Sequence, residues 1–205
     1  MNKTTLSILL EKFSYLSKRE SLDYPAVNVP HTYLHELCFF VRDEMGFVHL
    51  ADLTAVDWGV DSEPRFTTVY HFYNPDNHSY LRVACDCDSA EKPSVPSLVD
   101  LWPAANWHER EAFDMFGICF LGHPDLRRIL MWDDYAYYPL RKDFPLAGID
   151  TEIPSEEVQE QTSARVIAAP MAGGPFCPKT TTTMRQNEPS GADQSWSEKA
   201  PKPSH

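Results

Sequence analysis

Residues 66–87 read Phe66-Thr-Thr-Val-Tyr-His-Phe-Tyr-Asn-Pro-Asp-Asn-His-Ser-Tyr-Leu-Arg-Val-Ala-Cys-Asp-Cys87, and this stretch decides the fold. Residues 66–73 are dense in aromatic and β-branched side chains, which favour strands. The next four residues, Asn74-Pro75-Asp76-Asn77, are typical of a turn. From residue 81 to 87 every second side chain is leucine, valine or cysteine, which is the period of a strand with one face in a core. The stretch therefore predicts an antiparallel hairpin.

Helical patterns lie on the N-terminal side of this hairpin. Residues 4–18 predict an amphipathic helix that Thr4 or Thr5 caps, and residues 32–45 predict a second helix that ends at Gly46. The stretch between these helices contains Pro25 and Pro30 and is turn-like. Residues 47–53 predict a further strand.

Two more helices are predicted after the hairpin. Residues 95–101 predict a short one with Ser94 as its cap, and residues 103–116 predict a longer one that opens at Pro103 and ends at Gly117. The whole pattern indicates an α+β fold, with N-terminal helices packed on a mostly antiparallel sheet, a further helix, and then a long extended C-terminal tail. We place the domain at residues 1–149. Residues 150–205, rich in proline, threonine and serine, are predicted to be an extended, partly disordered tail.

Composition excludes several classes of function. The chain of 205 residues carries a net charge of -12, so nucleic acid and anionic membrane surfaces are not expected partners. No run of residues is long and apolar enough for a transmembrane span, and none resembles a signal peptide, so a cytoplasmic location is expected. Five scattered cysteines do not indicate a disulfide framework.

The motifs that carry chemistry are each incomplete. Residues 108–112 begin like a zinc-protease helix, but Ala112 stands where the second histidine ligand is required. Cys85 and Cys87 lie two apart on one strand face, which favours core packing, and a metal-binding module that uses them with nearby histidines is the alternative. His123 and Asp125 allow a stand-alone hydrolase that also uses the Glu109 region, although no serine nucleophile motif accompanies them.

Acidic residues on the predicted helix 103–116 fall on two faces. Glu109 lies within an apolar stripe, so it must be paired or protonated, and Arg127, Arg128 or an arginine of a partner is expected to pair with it. Glu111 and Asp114 lie on another face with Trp107. A structural ion pair is the favoured interpretation, and a proton-handling carboxylate is the alternative.

Residues 135–145 combine tyrosine, arginine and proline in a non-helical segment. Tyrosine and arginine are enriched in protein–protein interfaces, so the segment is either a docking surface or an ordinary loop over the domain's own core.

Three stretches together carry a resemblance to a known family. They are Trp107-His-Glu-Arg-Glu-Ala-Phe-Asp-Met-Phe-Gly-Ile118, Gly122-His-Pro-Asp-Leu-Arg-Arg-Ile-Leu130 and Tyr138-Pro-Leu-Arg-Lys-Asp-Phe-Pro145. In order and spacing they resemble the thirty-kilodalton subunit of respiratory complex I, known in bacteria as the C subunit. A weaker similarity extends over residues 30–150, and residues 168–176 are similar to tails of that family.

The resemblance implies a non-catalytic structural subunit in the peripheral arm of a proton-translocating NADH–quinone oxidoreductase. Such a protein supports the quinone-reducing module and contacts the D subunit and the iron–sulfur B subunit, with its tail docked on partners. It lies on the cytoplasmic side of the bacterial inner membrane and is membrane-associated only through the complex. It holds no cofactor, while FMN, iron–sulfur clusters and quinone belong to other subunits. The related alternative is the equivalent subunit of a membrane-bound hydrogenase or a ferredoxin-dependent quinone reductase.

The resemblance also marks a signature that we expect to form the subunit interface. Its residues are Glu109, Arg110, Glu111, Asp114, Phe116, Gly117, His123, Pro124, Arg127, Arg128, Tyr138, Pro139, Arg141, Lys142, Asp143, Phe144 and Pro145.

Overall fold

A computed structural model describes residues 4–146, 148–152 and 165–166 of the chain. The described residues divide into two units, the first ending at Asp143 and the second beginning at Phe144. The predicted tail, residues 150–205, lies almost wholly outside the described residues and stays a prediction. Within the second unit, β8 (Thr151–Glu152) pairs antiparallel with β9 (Arg165–Val166).

A five-stranded sheet organises the first unit, in the order β1-β2-β5-β4-β3. The hairpin predicted from residues 66–87 is confirmed as β4 (Phe66–Asn74) and β5 (Ser79–Asp86), paired antiparallel from Thr67↔Asp86 to Asn74↔Ser79. The other strands are β1 (Ser17–Lys18), β2 (Ala26–Pro30) and β3 (His49–Asp57). Only the β2–β5 pair is parallel, so the α+β class with a mostly antiparallel sheet is confirmed.

Helices share a core with this sheet, and three helical predictions are confirmed with shifted ends. The helices are α1 (Thr5–Lys12), α2 (Leu34–Asp43, after a 3-10 turn at His31–Tyr33) and α3 (Ala105–Phe116). Their buried side chains join the inward side chains of the strands in a single apolar cluster. Tyr70, Phe66 and Phe72 of β4 are among its largest fully buried members.

Both helix-ending glycines are where the sequence predicts them. Gly46 follows α2 at φ 74°, and the Phe47 amide donates to the Val41 carbonyl over 3.1 Å, as at a helix end closed by a left-handed residue. Gly117 ends α3 in the same conformation, also at φ 74°, and its amide donates to the Phe113 carbonyl over 2.8 Å.

Two N-terminal predictions are wrong because pairing between strands overrides the local pattern. The first helix stops at Lys12 instead of residue 18, since Ser17 and Lys18 pair with β2. The turn-like stretch holds β2, which aligns with β5 from Ala26↔Arg82 to Pro30↔Asp86. Its flanking prolines fit because a proline carbonyl still accepts, as Pro25 does from the Arg82 amide over 2.9 Å.

The short helix predicted for residues 95–101 is also wrong. Ser94–Pro96 is strand β6, and it pairs in parallel with β7 (Cys119–Leu121) beyond α3. A single turn follows β6, in which the Trp102 amide donates to the Leu98 carbonyl over 2.8 Å. A pairing between residues 25 positions apart leaves no local periodicity in the sequence.

Replacing Gly117 should destabilise the fold more than replacing a glycine with open space around it. A β-carbon at Gly117 would lie 2.6 Å from Arg141 Nη2 and 2.6 Å from Tyr138 Cζ, in a backbone conformation that side chains rarely adopt. We expect Gly117→Ala to lower the free energy of unfolding by about 2–4 kcal/mol in urea unfolding. The matched control is Gly122→Ala, at φ 86° with nothing within 4 Å of its β-carbon, with an expected loss of about 1 kcal/mol. Equal losses in the two variants would contradict the packing role of Gly117.

Candidate functional site

Asp114 of α3 is the centre of the signature block. Its side chain has no exposed surface, and its Oδ2 accepts the amides of Ile129, Leu130 and Met131 over 3.0, 2.7 and 2.9 Å. Its Oδ1 accepts from Arg128 Nη1 over 2.6 Å. Burial opposes ionisation, but these donors hold the pKa of Asp114 below its ordinary value. The helical wheel places Asp114 on the same face as Trp107. In the structure Trp107 is exposed, whereas Asp114 is buried.

Arg128 binds the backbone of the loop that follows. Its Nη2 donates to the carbonyls of Tyr135 and Tyr137 over 2.6 and 3.2 Å, and its guanidinium lies 5.2 Å from the ring centre of Tyr138. Arg110 adds two bonds to the same loop, to the carbonyls of Arg127 and Arg128 over 3.1 and 3.2 Å. The loop is therefore fixed to α3 by side chains that bind its backbone, not by regular secondary structure.

Residues 138–143 form a strap across the end of α3. Arg141 Nε donates to the Phe116 carbonyl over 2.6 Å, and the guanidinium lies 4.4 Å from the ring centre of Tyr138 and 5.1 Å from that of Phe66. The Leu140 amide donates to the Met115 carbonyl over 3.1 Å. The strap thus covers the domain's own core, which is one of the two interpretations left open by the sequence.

A second buried ion pair holds the end of the strap. Arg65 Nη2 lies 3.0 Å from Asp57 Oδ2 and 2.8 Å from Asp143 Oδ1, and the Lys142 amide donates to Asp57 Oδ2 over 2.8 Å. Burial opposes ionisation of Asp57, but Arg65 and the amides of Lys142 and Gly59 hold its pKa below the ordinary value. Asp57 and Arg65 were missed from the sequence. The signal was present, since Asp57 continues the period-two inward face of Leu53 and Ala55.

Glu109 is also fully buried, but its partners differ from those predicted. Arg127 and Arg128 do not pair with it. Instead Glu109 Oε2 accepts from the Ser97 hydroxyl over 2.6 Å, and Oε1 accepts the Leu98 amide over 2.7 Å. Burial, with the charge of the nearby Asp100, raises the pKa of Glu109 to about 7 against the lowering effect of the two hydrogen bonds.

An open cavity of about 520 Å³ lies over the Glu109 partners. Its lining includes Ser97 and Asp100 after β6, His35 of α2, and Leu121, Gly122 and Pro124 at the end of β7. The His35 Nε2 lies 2.8 Å from Asp100 Oδ2 at the rim. His123 points elsewhere, with its Nδ1 accepting the Asp125 amide over 3.0 Å and its Nε2 lying 3.3 Å from the Asn106 carbonyl.

The signature residues divide by burial, which bears on the expected interface. Glu109, Arg110, Asp114 and Phe116 are buried, so they act on a partner only through the loop and strap that they support. The exposed members are Glu111, Pro124, Arg127, Lys142 and Asp143, and the half-buried ones are Gly117, His123, Arg128, Tyr138, Pro139, Arg141, Phe144 and Pro145. Their role in an interface stays a prediction.

Cys85 lies on the inner side of β5, and Cys87, directly after the strand, is partly buried against the same core. Cys85 is fully buried and both thiols are free. Burial raises the pKa of both thiols, that of Cys87 to about 12, which favours the neutral form over a metal-binding thiolate. Within the described part of the chain, no group of three or more His, Cys, Asp or Glu side chains is placed to hold a metal ion.

Comparison with known proteins gives consistent matches. The family model described as "Respiratory-chain NADH dehydrogenase, 30 Kd subunit" matches residues 27–150. The chain is 48% identical over 134 residues to the C subunit of NADH-quinone oxidoreductase from Moorella thermoacetica, covering 65% of this chain and 88% of that protein. It is 40% identical over 153 residues to the C subunit from Geobacter sulfurreducens, covering 74% of this chain and 94% of that protein.

Longer relatives and a solved complex match as well. The chain is 40% identical over 157 residues to the second C/D subunit of NADH-quinone oxidoreductase from Aquifex aeolicus, covering 76% of this chain but only 26% of that protein's length. Among solved structures, a chain of the membrane-bound sulfane sulfur reductase, an archaeal respiratory membrane complex, superposes with a TM-score of 0.60 at 25% identity. That match covers 78% of this chain and 89% of the other.

Removing the charge of Asp114 should destabilise the domain strongly. In Asp114→Asn one of the two oxygens becomes an NH2 group, which would face either the three loop amides or Arg128, and all of these are donors. We therefore expect a loss of about 3 kcal/mol in the free energy of unfolding. Urea unfolding followed by tryptophan fluorescence measures it. Glu111→Gln is the control, because Glu111 is exposed on the same helix, and its expected change is within about 0.5 kcal/mol. Similar losses for both variants would contradict the anchoring role of Asp114.

Glu109 should make stability fall as pH rises toward neutrality. Its pKa is raised to about 7 in the folded chain from an ordinary 4.5, so its contribution is fully present below about pH 4.5 and is lost as pH rises through 7. Glu109→Gln keeps the shape without the charge. We expect the free energy of unfolding of the wild type, minus that of the variant, to fall by roughly 2–3 kcal/mol from pH 4.5 to 8. Urea unfolding at a series of pH values measures this difference, and a flat difference would contradict it.

Proposed function

Because the chain belongs to the 30 kDa subunit family of respiratory-chain NADH dehydrogenase, we propose that it is a non-catalytic structural subunit of a proton-translocating NADH–quinone oxidoreductase. It stands in the peripheral arm, where it supports the quinone-reducing module and contacts the D subunit. The observation that carries the proposal is the family match over residues 27–150. That range contains the whole described scaffold from β2 to the strap.

The chemistry of the signature block supports a scaffold over an active site. Asp114, Asp57 and Arg65 are buried and bound to groups within the domain, so their charges hold the loop and the strap. The histidine of the block, His123, makes hydrogen bonds to backbone atoms of Asp125 and Asn106. A side chain bound in this way orients its neighbours and is poorly placed to transfer protons to a substrate.

The D subunit is the leading partner, and relatives that are named as C/D proteins support it. The relatives in Aquifex aeolicus and Sulfurihydrogenibium match this chain over 26% of their length each, under a name that joins both subunits. Joining in one polypeptide is compatible only with subunits that lie near each other. The iron–sulfur B subunit is the second proposed partner.

Cofactors and location follow the same proposal. FMN, iron–sulfur clusters and quinone are held by other subunits, and this chain holds none. The protein lies on the cytoplasmic side of the bacterial inner membrane and reaches the membrane only through the complex. No helix in the described part of the chain is long and apolar enough to cross a membrane.

A second assignment is the equivalent subunit of a related membrane complex with another electron donor, such as a membrane-bound hydrogenase or a ferredoxin-dependent quinone reductase. The similarity to a chain of the archaeal sulfane sulfur reductase complex is the observation that supports this second assignment. The two assignments differ in the donor, not in the role of the chain. The donor that reduces quinone in the purified complex distinguishes them.

We further propose that residues 150–205 run across a partner protein of the complex as a tail. The chain from Asp150 onward is rich in proline, threonine and serine and offers few apolar side chains for a core of its own. Such a segment gains its contacts from a partner.

Isolation of the complex through a tag on this chain tests the proposed function. From detergent-solubilised native membranes we expect the D and B subunits to co-purify in equal amounts, with quinone reduction by NADH. The purified chain alone should have no visible chromophore and should not oxidise NADH. A chain truncated after Asp150 should recover less of the D subunit, because the tail contacts are gone. Recovery of the tagged chain alone, monodisperse and without partners, would contradict the proposal.

A further inference from the structure

We propose that the cavity between α2, the turn after β6 and the end of β7 receives an arginine or lysine side chain from a segment of a neighbouring subunit. In this arrangement Asp100 is the counter-charge, and Leu121, Val99 and Pro124 enclose the aliphatic stem. The proposal rests on the proposed function, because it requires a neighbour in a complex.

The fixed negative charge at the cavity is the carboxylate of Asp100, which stands at the rim with its side chain 63% exposed. The carboxyl group of Glu109, whose pKa is raised to about 7, lies behind the lining and accepts from the Ser97 hydroxyl over 2.6 Å. Among the described residues of the lining, His35 is the only one with a basic side chain, and it already contacts Asp100. A cation that enters the cavity therefore gains attraction without meeting a fixed positive charge.

Arg42 is an arginine of this domain whose charge acts on the same rim, since it interacts electrostatically with Asp100. It does not occupy the cavity. Its Nε donates to Asp43 Oδ1 over 2.6 Å and its Nη1 donates to the Leu101 carbonyl over 2.9 Å. Because Arg42 is held by these partners, it does not cover Asp100, and the part of the Asp100 carboxylate that His35 leaves exposed stays accessible to a cation from outside.

Apolar side chains supply the rest of the lining. Leu121 is 56% exposed at the end of β7, and Val99 and Pro124 line the same space. Lysine and arginine bury their methylene stems against apolar surface while the charged head meets a counter-ion. A nucleic acid or an anionic lipid headgroup would meet the wrong charge here, as the net charge of -12 also indicates.

Short peptides test the chemistry of the site on the full-length chain. The probes are acetyl-Gly-Arg-Gly-amide and the anionic acetyl-Gly-Glu-Gly-amide, followed by amide chemical shifts. We expect the arginine peptide to shift the amides of residues 97–100 and 121–122, and the glutamate peptide to leave them unchanged.

Asp100→Asn should weaken binding of the arginine peptide by about twofold to fivefold, which is the range of an exposed ion pair. The control is Asp76→Asn, because Asp76 is an exposed carboxylate in the β4–β5 turn. This variant should bind the arginine peptide as the wild type does. Equal response to both peptides, equal weakening by both substitutions, or no shift at these amides would overturn the proposal.

Photo-crosslinking tests the occupant in the assembled complex. With p-benzoylphenylalanine at position 121, we expect an adduct to a peptide of another subunit that has arginine or lysine within a few residues of the crosslink. Adding Asp100→Asn should lower the adduct yield.

The outcomes separate this inference from the proposed function. If the chain fails to co-purify with its partners, the proposed function is wrong and the inference falls with it. If the chain co-purifies but the adduct joins a lipid, a second copy of the chain or a peptide without a basic residue, or does not form, only the inference is wrong.

Discussion

The buried carboxylate of Asp114 is the interaction on which the rest of the signature block depends. One side chain accepts three consecutive amides of residues 129–131 and the guanidinium of Arg128. Those amides belong to a loop without regular secondary structure, so no strand or helix would satisfy them once the loop covers α3. An ionised carboxylate is tolerated in the interior because four donors replace the water it loses.

Arginine side chains fix the neighbouring irregular segments in a similar way. Arg128 binds the carbonyls of Tyr135 and Tyr137, Arg141 binds the carbonyl at the end of α3, and Arg65 joins Asp57 to Asp143. Arg128 and Arg141 donate to backbone carbonyls, and Arg65 donates to two carboxylates. The left-handed Gly117 leaves space where the ring of Tyr138 and the guanidinium of Arg141 meet the helix. An irregular segment thereby gains a fixed shape, which is what a surface for other subunits requires.

Two carboxyl groups on α3 show that environment, not position on the helix, sets their chemistry. Asp114 and Glu109 are both fully buried, yet the pKa of the first is lowered and that of the second is raised to about 7. Asp114 has four donors including a cation. Glu109 has two neutral donors, and the charge that acts on it, that of Asp100, is negative. The first is held in its charged form, and burial favours the neutral form of the second.

The sequence by itself determined the hairpin, the three main helices, both helix-ending glycines and the family, because each depends on short-range periodicity or on a contiguous motif. It also indicated that Glu109 is buried. Only the tertiary structure decided the strands β1, β2 and β6, which depend on pairing with other segments, and the pairing of Arg128 with Asp114 instead of Glu109. The physical reason is that a helical wheel gives the direction of a side chain. The donors that meet that side chain come from segments brought close only by folding.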